Sequence, residues 1–143
     1  MKSNFWNISL SILFAALVVC GYLWLAGAGR LAPWVPLTDF MLMAFATMRL
    51  IRLFAYDSLT AFIRTRLADA EEDSFLGTLG ALLRCPWCSG LWFATIVAFF
   101  HLATPIAWYA IFILALSAVA SLLQVFTNFV GWSAEMRKKE SGH

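Results

Sequence analysis

Two cysteines three residues apart, Cys85 and Cys88 in the run Cys85-Pro86-Trp87-Cys88-Ser89-Gly90, are the side chains of this chain best spaced for chemistry. They fall one helical turn apart at the mouth of a long apolar segment, a spacing that suits reversible disulfide formation or half of a zinc site. In the redox reading, the start of a helix stabilises a thiolate, Arg84 adds positive charge beside it, and Pro86 holds the backbone between the sulfurs. In the metal reading, a structural zinc wants four ligands. The chain offers no second cysteine pair or suitably placed histidine, so a second copy or a partner would have to complete the site. In the third reading the cysteines are small buried residues, Pro86 starts a helix and Gly90 lets a neighbour approach. All three readings stand on the residues alone.

The elements that must position these thiols belong to a membrane. Of 143 residues, 62% are hydrophobic and 13% charged, outside the balance of soluble domains. Apolar stretches of spanning length recur. The net charge of +2, with no basic cluster interleaved with aromatics, predicts no nucleic-acid partner.

Four spans are expected. The first runs from about Ile8 to Ala28 without a charge, and is read as a retained helix rather than a cleaved signal peptide because its apolar core is long. A turn follows at Gly29 to Pro36. The second, about Leu37 to Phe54, is the weakest, because it carries Asp39, Arg49 and Arg52. The third covers about Leu82 to Ala103. Pro105 opens the fourth, about Ile106 to Val130. Tryptophans 6, 24, 34, 87, 108 and 132 fall near span ends, as an interfacial aromatic belt requires. With a cytoplasmic amino terminus, the inner side receives Lys2, Arg49, Arg52, Arg64, Arg66, Arg84, Arg137, Lys138 and Lys139, and the outer side only Arg30. That asymmetry favours four crossings, both termini cytoplasmic and the thiols at the cytoplasmic face.

Between spans two and three, Leu59, Phe62, Ile63 and Leu67 share one helical stripe, with Asp57 placed to cap the helix. A short amphipathic helix in the inner headgroup layer is expected, its Arg64 and Arg66 meeting anionic lipid. The acidic run Asp69, Glu71, Glu72 and Asp73 should stay in water, and Gly77 and Gly80 should turn the chain back into the membrane.

A charge inside a span is costly. Arg52 is near enough to the inner end to snorkel, whereas Arg49 needs a partner. Ser117, Ser121, Gln124 and Asn128 recur on one face of span four, so Arg49 is expected to donate to Gln124 or a helix-end carbonyl, with Arg52 near Asn128. Gly90, Ala94 and Ala98 form a small-residue stripe for packing within the bundle or between copies. Cys20 is read as an inert small hydrophobe and His101 as interfacial.

The run Thr47-Met48-Arg49-Leu50-Ile51-Arg52-Leu53, then Tyr56-Asp57, then Cys85-Pro86-Trp87-Cys88-Ser89-Gly90-Leu91-Trp92 resembles a bacterial and phage family of small membrane proteins, the domain of unknown function 1360. The resemblance covers roughly Asp39 to Val130 and leaves the first span as an addition. It implies that Arg49, Arg52, Asp57, Cys85, Pro86, Cys88, Gly90 and Trp92 form one cytoplasmic-side cluster. It implies no reaction and no cofactor.

The expected architecture is therefore an all-α integral membrane four-helix bundle with a short amphipathic interfacial helix between spans two and three. Residues 1–36 form a first span and turn, 37–132 a three-span core with the CPxC motif, and 133–143 a basic cytoplasmic tail. The expected location is the inner membrane, and the expected partners are the lipid bilayer and a second copy or another membrane protein. The first functional reading is a non-enzymatic membrane component acting through helix or lipid contacts. The alternative is a thiol-disulfide redox protein using Cys85 and Cys88, and the lesser one an intermolecular zinc site.

Overall fold

Proline, glycine and one serine cut this apolar chain into helices. The computed structural model describes residues 2–70 and 74–140. Among the described residues it contains six α-helices, one 3-10 turn and no strand.

Helix α1 (Lys2–Gly27) ends where Gly29 takes φ +65°. Gly29 N–H then donates to Ala26 O at 3.1 Å and Arg30 N–H to Leu25 O at 2.9 Å, a left-handed cap that glycine accepts without strain. Helix α2 (Leu37–Ala55) starts directly after Pro36. A 3-10 turn (Ser58–Thr60) leads into α3 (Ala61–Ala68). Helix α4 (Phe75–Arg84) is capped by Ser74, whose Oγ accepts from Gly77 N–H at 3.0 Å. Helices α5 (Pro86–Ala103) and α6 (Ala107–Glu140) flank the break at Thr104 and Pro105.

Several expectations change. The third span begins at Pro86 and not at Leu82, because a residue before proline is driven out of the helical region and Cys85 sits at φ −92°, ψ 104°. Leu82–Arg84 belong to α4, which the sequence reading missed. Gly77 and Gly80 lie buried inside α4 rather than in a turn. Gly80 is needed there for close approach: an added methyl would meet the Leu67 carbonyl oxygen at 3.0 Å. The expected amphipathic stripe is divided, since Leu67 is buried against α4 while Leu59 and Phe62 are exposed. Asp69 caps the end of α3, exposed, and Glu71, Glu72 and Asp73 lie outside the described residues. Helix α6 continues without a break into the residues read as a tail, for about 51 Å at 1.5 Å per residue.

Helix α5 is packed on two opposite faces. Gly90, Phe93, Val97 and His101 recur at helical spacing and meet α2: Phe93 stacks on Phe54 with centroids 5.2 Å apart, and Val97 joins Ala46, Ile111 and Ala115 in the buried core between α2, α5 and α6. Ala46 and Ala118 are completely buried, and such small side chains let helix backbones come close. The other face meets α1 through Phe14–Trp92 at 5.0 Å and Trp24–Phe99 at 5.7 Å. These pairs require α1 and α5 to run parallel. Arg30 donates to Ala103 O, and His101 Nε2 lies 3.5 Å from Asp39 Oδ2, so the end of α1, the start of α2 and the end of α5 meet at the pole opposite Cys85. Of the small-residue stripe, Gly90 faces α2, whereas Ala94 is exposed.

Three helical segments are long and apolar enough to cross a membrane: Phe5–Gly27, Pro86–Ala103 and Ala107–Lys138. Helix α2 has 19 residues, but Asp39, Arg49 and Arg52 set it apart from those three.

Candidate functional site

Cys85 caps α5. Its Sγ accepts from Cys88 N–H at 3.4 Å and from the Cys88 thiol at 2.7 Å, and Pro86 occupies the first helical turn, where a missing N–H costs nothing. The two residues are free thiols. The sulfurs sit closer than unbonded atoms usually do and beyond the roughly 2.05 Å of a disulfide. The Cys88 thiol first, and the Cys88 N–H after it, hold the Cys85 thiol below its ordinary range. Ser89, almost fully buried, returns its hydroxyl to Cys85 O at 3.0 Å and so fastens the turn from inside. Trp87 stands 90% exposed beside the pair.

Near the same end of α5, the turn after α2 forms a second polar centre. Arg49 Nη1 lies 3.1 Å from Asp57 Oδ2. The expected Arg49–Gln124 contact is absent: Gln124 is exposed and donates to Asn128 Oδ1 at 3.4 Å. Asp57 makes no side-chain cap, because its carboxylate is turned to Arg49. Arg64, expected among lipid headgroups, folds inward instead. Its Nη1 donates to Phe54 O at 3.1 Å, Asp57 O at 2.7 Å and Thr60 Oγ1 at 3.1 Å. The Thr60 hydroxyl donates to Leu53 O. Together they satisfy carbonyls that the end of α2 leaves without helical partners. The turn signal for this knot, Asp57 through Thr60, is present in the sequence, but its long-range acceptors are not.

The implied cluster is brought to one end of the molecule and divided between two faces of α5. Gly90 adjoins Ile51 of α2, whose Cδ1 would lie 3.2 Å from an added methyl. Cys88 and Trp92, one turn apart, face α1. Among the described residues, no hydrogen bond or ion pair joins the thiols to Arg49, Arg52 or Asp57. No three His, Cys, Asp or Glu side chains converge there on a common point. The Asp39–His101 contact at the opposite pole was not anticipated. His101 Nδ1 is buried there without a partner.

A helical protein with three segments able to cross a membrane, and a dithiol opening one of them, is the class that this fold and site define. The chain belongs to the family described as "Protein of unknown function (DUF1360)", whose model matches residues 42–127. The match starts within α2 and leaves out α1, as the resemblance implied. The chain is also 32% identical over 97 residues, 59% of its own length and 75% of the relative's, to the UPF0713 protein YngL of Bacillus subtilis (strain 168). No solved structure matches it.

Proposed function

We propose that this protein crosses a membrane four times, with α2 as the fourth crossing, and works as a thiol-disulfide redox component at its cytoplasmic face. The observation that carries the redox reading is the reception of both the Cys88 thiol and the Cys88 N–H by Cys85 Sγ at the start of α5. The thiolate of Cys85 attacks one sulfur of a partner disulfide and the other sulfur leaves. Cys88 then displaces the partner as a dithiol, closing Cys85–Cys88. In reverse, the closed disulfide takes two electrons from partner thiols.

The fourth crossing is supported by the fate of the charges on α2. Asp39 meets His101 and Arg49 meets Asp57, while Arg52 stands in the last turn, within reach of the headgroups. Thiol alkylation in native membranes before and after mild oxidation tests the redox reading: a pair that never closes a disulfide overturns it. The exposed apolar lengths of α1 and α6 then favour the other reading, a non-enzymatic component acting through helix and lipid contacts. Labelling of Ala70→Cys from outside intact cells would overturn the orientation, and Gly29→Cys should be the labelled site.

A further inference from the structure

A cavity of about 440 Å³ opens between α1, α4 and α5, and Cys88 is part of its wall. Its size falls within the roughly 300–1,000 Å³ of small-molecule sites. Two aromatic pairs join α1 to the helices across the cavity: Trp6 on Phe75 at 5.7 Å and Phe14 on Trp92 at 5.0 Å. Phe14, Trp92 and leucines make most of the wall apolar, while Asn7, Ser11 and Thr78 supply three polar side chains. The hydroxyls of Ser11 and Thr78 donate to carbonyls of their own helices, at Asn7 and Ser74. The Asn7 amide is exposed and can donate to a ligand oxygen. Cys85 lies just behind Cys88, 2.7 Å from it. The cavity thus offers flat aromatic walls, a hydrogen-bond donor and a dithiol in a segment that belongs to a membrane.

We infer that this cavity receives a lipid-soluble quinone, which oxidises the Cys85–Cys88 pair. The inference rests on the redox reading above and names its electron acceptor. A dithiol closing to a disulfide releases two electrons and two protons, which is what a quinone takes up in becoming a hydroquinone. A largely apolar wall built in part on helices long enough to cross a bilayer suits an acceptor carried by lipid. Cys88, the thiol in the wall, adds to a ring carbon of the quinone, and its proton goes to a quinone oxygen. The Cys85 thiolate then attacks Cys88 Sγ. The sulfur–sulfur bond forms as the sulfur–carbon bond breaks, and the ring leaves with that electron pair and a second proton from solvent as hydroquinone.

The test uses the full chain in lipid nanodiscs without oxygen. A short-chain ubiquinone is added, and disulfide formation is read by alkylation and quinone loss by absorbance. One hydroquinone per disulfide, at a rate that saturates with quinone, is expected. Ser11→Trp, which puts a bulky ring into the cavity and leaves both cysteines in the chain, should slow this reaction about tenfold and leave oxidation by water-soluble diamide unchanged. Closure by diamide but not by quinone would overturn the inference alone. So would a rate that rises linearly with quinone in the native chain, the behaviour of a cavity filled by lipid chains. That second reading does not depend on the variant's folding. Thiols that neither oxidant closes would overturn the redox reading as well.

Discussion

Arg49 of α2 and Asp57 of the turn that follows are held 3.1 Å apart, eight residues along the chain, with side chains only 22% and 30% exposed. The pair closes the end of α2 onto its own connector and removes the need for a partner on α6. It lies between exposed and buried ion pairs, so Arg49→Leu or Asp57→Ala should each cost about 1–2 kcal/mol. The double variant should cost clearly less than their sum. Thermal unfolding in detergent is the measurement, and strict additivity would show that the pair contributes nothing jointly.

Arg64 should tolerate even conservative change poorly. One guanidinium nitrogen serves two backbone carbonyls and the Thr60 hydroxyl, and an ammonium on a shorter stem does not bring a nitrogen to that position. Arg64→Lys should therefore recover less than half of the roughly 2 kcal/mol expected to be lost in Arg64→Ala. Backbone hydrogen exchange across Leu53–Asp57 should rise in both, since the Phe54 and Asp57 carbonyls lose the donor that ties the turn.

Two helical glycines should respond unequally to the same substitution. At Gly80 an added methyl meets the Leu67 carbonyl oxygen at 3.0 Å, and backbone cannot swing aside. Gly80→Ala should destabilise by about 1–3 kcal/mol despite alanine's better helix propensity. At Gly90 the obstacle is Ile51 Cδ1 at 3.2 Å, the far end of a flexible side chain. Gly90→Ala should fall within about 0.5 kcal/mol of the native chain, with propensity offsetting the contact. Midpoints of thermal unfolding for the two variants, measured side by side, check the contrast.

The reactivity of Cys85 should depend on pH in a defined direction. Hydrogen bonds from the Cys88 thiol, and then from its N–H, hold the Cys85 thiol below its ordinary range, so its thiolate is present at lower pH than that of a free cysteine. The pH–rate profile for iodoacetamide should have its midpoint below that of glutathione measured alongside. Cys88→Ala removes the first of those donors and should move the midpoint upward. A midpoint unmoved by Cys88→Ala would separate the two sulfurs chemically.

The apolar helices of spanning length, the ends of α1 and α2, the close of α5 at Ala103 and the placing of the dithiol at a helix start were legible in the sequence, whereas the third span was expected to open at Leu82 and opens at Pro86. Each rests on a local rule. Gly29 permits a left-handed cap, Pro36 and Pro86 open helices, and uninterrupted apolar runs need lipid or protein around them. The same rules could have revealed α4, since Ser74 precedes an apolar run and Pro86 ends it. Glycines at 77 and 80 read locally as a turn instead. The reason for glycine at position 80 is Leu67, a residue on another helix.

What the sequence determined by itself is thus which residues share a helix face and which class of surroundings those faces require. Periodicity already places Cys88 with Trp92, and sets Gly90 on the other side of α5. Only the tertiary structure decided which neighbour each face meets: α2 against Gly90, α1 against Cys88 and Trp92, Asp57 rather than Gln124 against Arg49, and Asp39 against His101. Helical spacing specifies direction around an axis and carries nothing about what lies in that direction. Partner choice follows from the packing of whole helices and from charges that must find one another where water is scarce.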